Sequence, residues 1–573
     1  MAASSDDGQP MSDPDRSARA PAPLSWRATT LAPFQNRIFL AIWSASLLSN
    51  FGGLIQTVGA QWLMTSLAPS ADMVALVQAS QTLPIMLLSL AGGAIADVWD
   101  RRMIMLIAQS LMLTVSAVLA CVTFLSLITP WTLLALTFLI GCGTALYGPA
   151  WQSSVGEQVP RTHLSAAIAL NILAFNIART LGPALGGVIV ATAGPQSAFV
   201  VNALSYIGLI VVLASWRRPG TTSHLPPERI ATAMRTGLRY VRLSPEVRTV
   251  LVRGFLFGFL GSAVWALMAV IARDLIHGGA LTFGFLFGAF GVGAVLGGLM
   301  SVPLRHHLQG ETLVRGASIA FGTGTLVASS SHSLALTMAF FVMSGAAWVL
   351  ALSTFNITIQ TSVPRWVVGR ALAAYQTVTF GGMAIGSWLW GILADRATLT
   401  TSLLVAGGAM TVSVLVGLAL RLPQPESTNL DPHRAWPDPK PGMQLDPHSG
   451  PVVVTVEYRV AESDWTAFIR AMQGVRRIRR RDGARRWKLL QDISDPERFV
   501  ERFQSVTWME HLRQHHRYTV ADREIEHVAL TLHRGSEPPR MRQLLERSAG
   551  SVRETQPAEA DRVAAAVPDP NLL

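Results

Sequence analysis

Twelve predominantly apolar runs recur along the first three quarters of the chain, at 38–66, 73–96, 103–128, 131–154, 166–193, 196–215, 249–273, 280–303, 312–330, 333–361, 370–394 and 399–421. An α-helix needs about 20 apolar residues to cross the hydrocarbon core of a bilayer, whereas a barrel strand is about half as long and alternates. The pattern therefore predicts an all-α polytopic membrane protein. Residues 1–36 are rich in Asp, Ser and Pro without an apolar stretch, so they read as a disordered cytoplasmic tail and not as a signal peptide.

The runs fall into two sets. The stretch from Gly141 to Gly187 aligns with that from Gly345 to Gly391 at an offset of 204 residues: Pro160-Arg161 falls on Pro364-Arg365, Gly182 on Gly386 and Gly187 on Gly391. Near the same offset Gly92-Gly93 falls on Gly297-Gly298. This predicts two six-helix pseudo-repeats, 37–215 and 249–421, joined by a central loop at 216–248. Parallel repeats of this kind place a ligand site near the membrane midplane between them.

Composition sharpens the membrane reading. Half of the 573 residues are hydrophobic and 14% are charged, against about a quarter charged in soluble domains. Between Arg37 and Leu422 only nine residues are acidic: Asp72, Asp97, Asp100, Glu157, Glu228, Glu246, Asp274, Glu311 and Asp395. The net charge of +11 is carried by arginines in loops and in the C-terminal part, which argues against nucleic acid as a partner and for a lipid bilayer. Arg101, Arg102, Arg161, Arg305, Arg365, Arg370 and Arg421 all fall on the side of the N-terminus, as do Arg217, Arg218, Arg229, Arg235, Arg239, Arg242 and Arg248 of the central loop. By the positive-inside rule both termini are cytoplasmic. Cys121 and Cys142 lie inside apolar runs and imply no disulfide framework.

After the second run comes Gly93-Ala-Ile-Ala-Asp97-Val-Trp-Asp100-Arg101-Arg102. A glycine permits close helix approach, and a carboxylate at a helix end beside arginines can pair with them or cap a neighbouring helix. Gly93, Asp97, Asp100, Arg101 and Arg102 thus read as a conformational latch. The segment resembles the loop between helices two and three of the major facilitator superfamily, G-x-x-x-D-R/K-x-G-x-R/K-R/K, with Val98 and Asp100 departing from the pattern. Its D-x-x-D-R-R form is similar to the enterobactin-exporter branch, the transmembrane secretion effectors. In the fifth run, Gly182-Pro183-Ala184-Leu185-Gly186-Gly187 resembles the G-P-x-x-G-G part of the superfamily's antiporter signature, although the earlier glycines of that signature are missing. Gly182, Pro183, Gly186 and Gly187 are the expected helix-packing residues. The resemblance implies a bacterial inner-membrane location.

Arg179 stands in mid-span, where a charge costs a few kcal/mol unless it faces a cavity or a partner. One reading is a cavity residue that binds an anionic or phenolic group; the other is a structural arginine satisfied by carbonyls or by Asn neighbours. Further polar residues within the runs could line the same cavity: Asn171, Asn176, Asn50, Gln56, Gln61, Gln78, Gln81, Tyr147, Gln152, Asn356, Gln360 and Gln376, with Trp62, Trp151 and Trp265 as walls. Each alone could equally form a helix–helix hydrogen bond. No acidic residue sits in mid-span, so no proton carrier is legible, and no G-x-x-x-x-G-K-S/T loop is present to support ATP-driven pumping.

Residues 422–450 hold seven prolines and read as an extended linker. Val452–Tyr458 alternates as a strand, a helix is expected from Ser463 to Arg480, a second strand at 486–492, a second helix from Asp495 to His516, and a last structured piece at 519–533. This small α+β domain, 451–535, resembles the ferredoxin-like domain of antibiotic-biosynthesis monooxygenases, which implies dimerisation; residues 536–573 read as a disordered tail. His511 and His515 share a helix face but lack a third ligand at metal-binding spacing. Arg476, Arg477, Arg479, Arg480 and Arg481 could touch anionic lipid or form the wet side of their helix.

Together these features predict a secondary exporter of small amphipathic molecules of drug or siderophore type, with protons as coupling ion, no cofactor, no metal and no catalysis. The alternatives are an importer on the same fold, or a membrane-tethered enzyme or sensor acting through the C-terminal domain.

Overall fold

The computed structural model describes residues 31–68, 70–160, 163–216, 230–364, 366–424, 429–430 and 442–547, apart from the side chains of 94, 96–98, 165 and 230–233. Two compact units are present. The first comprises Met1–Met234, Arg248–Gln360 and Gly369–Gln424; the second comprises Arg235–Val247, Thr361–Val368 and Pro425–Leu573. Asp97's side chain, Arg161, Arg217, Arg218, Arg229, Arg365 and the segments 1–30 and 548–573 lie outside the described residues.

The membrane region consists of α1 (Arg37–Leu67), α2 (Ala71–Val98), α3 (Arg101–Phe124), α4 (Pro130–Gln158), α5 (Leu164–Ala193) and α6 (Pro195–Ser215) in the first half. A shorter helix, α7 (Ile230–Leu243), lies in the central loop. The second half holds α8 (Pro245–Val270), which runs on as a π-helical turn to Leu275, then α9 (Ala280–His307), α10 (Gly310–Ser330), α11 (Leu334–Ser362), α12 (Val368–Arg396) and α13 (Leu399–Val412), the last continuing to Ala419. Eleven of these helices are long and apolar enough to cross a membrane. The twelfth long helix, α10, carries Glu311 and Arg315 in its first two turns.

Local chemistry sets the helix starts. The side chain of Asn36 accepts from Ile38 N at 2.9 Å to cap α1, Thr129 caps α4 ahead of Pro130, and Thr398 caps α13. Asp100 caps α3 by accepting from Arg102 N at 2.9 Å, which gives a physical reason for its place where the superfamily pattern has glycine. Gly194, at φ +79°, makes the turn between α5 and α6. Each half is then braced at its loop end. Arg101 pairs with Glu157 at 2.7 Å, and Arg102 closes α6 by donating to the carbonyls of Leu213 and Ala214 at 2.8 and 2.6 Å. In the second half buried Arg253 pairs with Glu311 at 3.0 Å, and Glu311 also accepts from Arg315 at 2.8 Å and from Leu422 N at 3.0 Å.

In the second unit, a four-stranded antiparallel sheet is built from β1 (Val452–Arg459), β2 (Arg485–Gln491), β3 (Arg498–Ser505) and β4 (Arg540–Leu545), in the order β2-β3-β1-β4. With α14 (Trp465–Asp482) after β1, and α15 (Trp508–Arg517) and α16 (Val520–Thr531) before β4, the connectivity is β-α-β-β-α-β, the ferredoxin-like order. Val454, Val456, Tyr458, Phe468, Met472, Phe499 and Phe503 form its core.

Three expectations are corrected here. Residues 498–505 are a strand and not the start of a helix: their burial alternates from Arg498 to Phe503, and β1 pairs with them from Val452↔Ser505 to Arg459↔Arg498. Residues 540–545 are the fourth strand and not part of a tail, because β1 pairs with them from Val452↔Leu545 to Glu457↔Arg540. Ala32–Gln35, within the expected N-terminal tail, forms a 3-10 turn.

The basic run of α14 splits. Arg479 turns inward and bridges the buried carboxylates of Glu501, at 3.3 Å, and Glu526. Burial alone would lower its pKa, but Glu526 and Glu501 hold it well above the usual value. Tyr458 also bonds Glu501, at 3.3 Å, and its phenol is raised mainly by burial, then by the two carboxylates. Arg481 pairs with Asp482 and Asp522 at 2.9 and 2.7 Å. Its Cζ lies 5.1 Å from the Tyr240 ring, Tyr240 meets Trp366 edge-on at 5.5 Å, and Arg517 stacks over Trp366 at 4.7 Å. Arg476, Arg477 and Arg480 remain exposed.

Candidate functional site

A cavity of about 550 Å³ lies in the membrane region and is lined by helices of both halves. That is within the usual range for small-molecule pockets, about 300–1,000 Å³. Its lining contains no Asp or Glu among the described residues and one charged side chain, Arg179 of α5.

Of the residues singled out from sequence, Arg179, Tyr147, Asn50, Gln56, Gln81, Asn356 and Gln376 line this cavity, together with Gln78 and Trp265. Asn171, Asn176, Gln152 and Gln360 do not. Gln152 and Gln360 are exposed, and Gln360 donates to Asn356 one turn away. Asn171 is partly buried. Trp62 stacks on Phe283 and Trp151 on Tyr147, both outside the lining. Gln56 is largely consumed: its Oε1 accepts from Ser116 at 2.8 Å and from Asn202, which also donates to Tyr206 at 3.1 Å.

Arg179 is distinguished by what it lacks. Among the described residues no carboxylate or other acceptor bonds its guanidinium; Cζ sits 5.4 Å from the Trp265 ring and 6.0 Å from that of Phe290. Trp265 belongs to an aromatic cluster in which it meets Phe287, Phe290 and Trp348 at 5.4, 4.8 and 5.8 Å. Four buried polar atoms of the lining also have no hydrogen-bond partner among the described residues: Trp265 Nε1, Gln109 Oε1, Thr137 Oγ1 and Thr379 Oγ1. Gln109, Asn202, Tyr206, Trp348 and Tyr375 were missed from sequence; Gln109 and Asn202 carried the same mid-span polar signal as the residues that were named.

The expected packing residues cluster on α5. Gly182 and Gly186 face Leu54, Ile55 and Val58 of α1, and a Cβ at Gly187 would lie 2.9 Å from the Cα of Gly284 on α9. Pro183 is accommodated without ending the helix. The latch residues divide: Asp100 caps α3, while Arg101 and Arg102 brace the first half. Gly93 makes no close helix approach, since a Cβ there meets nothing within 4 Å.

In the C-terminal domain His511 and His515 face each other at 3.3 Å between Nε2 atoms. Burial, with a smaller push from His515, lowers the His511 imidazole to about 4. Among the described residues no three His, Cys, Asp or Glu side chains are disposed to hold a metal ion.

Two sets of six long helices around a cavity lined by both, each braced by ion pairs, match the architecture of a major facilitator transporter. Comparison with solved structures agrees on the fold: a mutant form of the nucleoside transporter NupG matches with TM-score 0.56 and 12% identity, over 67% of this chain and all of that one. A bacterial homologue of the lysosomal transporter Spinster matches with TM-score 0.52 and 14% identity, over 68% and 95%. The family model of the transmembrane secretion effectors matches residues 28–550, and the chain belongs to that family. Among curated relatives, the Staphyloferrin A transporter of Staphylococcus aureus is 23% identical over 354 residues, 61% of this chain and 88% of the relative. The multidrug efflux pump Tap of Mycobacterium tuberculosis is 23% identical over 405 residues, 68% and 94%. The enterobactin exporter EntS of Citrobacter koseri is 25% identical over 342 residues, 58% and 79%. The protein is thus a multi-pass membrane transporter acting on small molecules, and not an enzyme.

Proposed function

We propose that the chain exports small amphipathic molecules carrying a negative or phenolic group, of siderophore or drug type, from the bacterial cytoplasm across the inner membrane. Transport is by alternating access and is driven by proton antiport, with both chain termini in the cytoplasm as the arginine distribution implies. The observation that carries this reading is Arg179 over Trp265, with no hydrogen-bond acceptor and no acidic lining residue among the described residues. A guanidinium in a low-dielectric cavity attracts an anion strongly, and the aromatic wall takes a planar apolar body. Relatives named for enterobactin export and multidrug efflux support the direction, and these together with a staphyloferrin A transporter support the cargo class. The C-terminal domain would add a dimer contact.

The test is efflux of fluorescent amphipathic dyes and phenolic siderophores from cells lacking their own exporters. The protein should lower accumulation only while the proton gradient stands, and Arg179→Ala should fail at normal membrane levels. Accumulation that rises, or that ignores the gradient, would overturn direction or coupling.

A further inference from the structure

Helices α2 and α12 come from opposite halves and meet in one antiparallel register. The Asp395 carboxylate of α12 accepts from Ala71 N at 2.6 Å and from Asp72 N at 2.8 Å, so it caps the start of α2. A Cβ at Gly391 would lie 2.7 Å from the Cβ of Ala75 and 2.8 Å from the Cα of Asp72. Further along, Gly381 faces Met86, and Ser89 bonds Thr377 at 2.7 Å. Continuing this register eight residues beyond Ser89 sets position 97 opposite Gly369, in the first turn of α12.

Each helix of the pair therefore ends in the same spacing, Gly-x-x-x-Asp, against the start of the other: Gly391 to Asp395 on α12, Gly93 to Asp97 on α2. The two ends differ in this structure. Gly391 is in close contact with α2, whereas a Cβ at Gly93 meets nothing within 4 Å. Packing alone does not require the carboxylate. The repeat counterpart of Gly391 is Gly187, which makes the matching approach to the start of α9, and four residues on from it stands Ala191. Arg273, near the same end, donates to the carbonyl of Thr65 at 3.1 Å and adds a further bond between the halves.

We infer that Gly391 and Asp395 form a second latch, reciprocal to Gly93–Asp97, and that the two close in turn: Asp395 holds the halves together at its end while the Gly93 end is released. This rests on the alternating-access reading proposed above. A helix cap is typically worth about a kcal/mol, so loss of Asp395 shifts the balance of the two states about five- to tenfold.

The test uses the full chain with Cys121→Ser and Cys142→Ser, and a reporter cysteine at the cavity residue Thr144. The protein is reconstituted in vesicles of known orientation and labelled from either side with an impermeant maleimide. The parent should label from the Asp97 side. Asp395→Ala should raise labelling from the Asp395 side about five- to tenfold, Asp395→Asn by less, and Gly391→Val should act like Asp395→Ala with the carboxylate intact. Asp97→Ala should move labelling the opposite way. Only monodisperse preparations are compared, and Asp395→Asn and Gly391→Val serve if Asp395→Ala does not fold. If Asp97→Ala moves the ratio and none of the α12 variants does, the second latch is overturned alone. If no variant moves it, alternating access falls and the latch with it.

Discussion

Arginine is used in opposite ways in the two units. In the C-terminal domain Arg479 sits between Glu501 and Glu526, Arg481 between Asp482 and Asp522, and Arg517 on Glu510 at 2.7 Å. Each of these is a buried charge whose partners are already in place. In the membrane cavity Arg179 has an indole face and no acceptor among the described residues. A structural cation is saturated by its own fold; one left with an open hydrogen-bonding fork in a low-dielectric cavity waits for something else to complete it. That contrast, more than the presence of a charge in mid-span, is what the proposed binding role of Arg179 rests on.

The contrast can be broken from the domain side first. Arg479→Met orphans Glu501 and Glu526, and removing one partner of a buried pair costs about 3–5 kcal/mol. We expect protease sensitivity confined to residues 451–547 with unchanged membrane levels; an equally resistant domain would mean the cluster is not structural. The buried His511 gives the next largest effect. It binds its proton at about 4 in the fold against a usual value of 6.5, so the unfolded chain takes up protons first as pH falls. The domain therefore loses stability as pH drops from 6.5 toward 4, by up to about 3 kcal/mol. Hydrogen exchange of Trp508–Arg517, corrected for intrinsic rates, should show this acid opening, and His511→Gln should flatten it. On the cavity side, Gln376→Glu would give the site its own carboxylate. Affinity for an anionic ligand should fall by about 1–2 kcal/mol, read by equilibrium binding, with affinity for a neutral analogue retained.

Much of the fold was legible because bilayer-spanning helices must be long and continuous, and the repeated glycines at positions such as Gly187 and Gly391 mark close packing. Arg179 was legible for a related reason, as a charge where charge is costly. Less visible was anything that depends on which residues meet. The Arg253–Glu311–Arg315 cluster joins the starts of two helices some 60 residues apart in the chain, a pairing that no local pattern reveals. Strand β3 was misread because Asp495-Pro496 resembles a helix start, although burial alternates with period two from Arg498 to Phe503. Strand β4 follows Pro538-Pro539 and is held by β1, a partner some 85 residues earlier that no local pattern reveals. In the cavity, Asn171 and Gln152 carried the right chemistry on the wrong helix face, while Tyr206, Trp348 and Tyr375 looked like ordinary core aromatics.

The central claim is that Arg179 reads the charge of the cargo. The most direct measurement is equilibrium binding of an aromatic carboxylate and its uncharged amide to the purified protein, wild type beside Arg179→Gln. Wild type should prefer the carboxylate by at least about tenfold, about 1.4 kcal/mol, and the variant should bind both alike with unchanged thermal stability. Equal binding of the two by wild type, or a preference that survives in Arg179→Gln, would contradict the account.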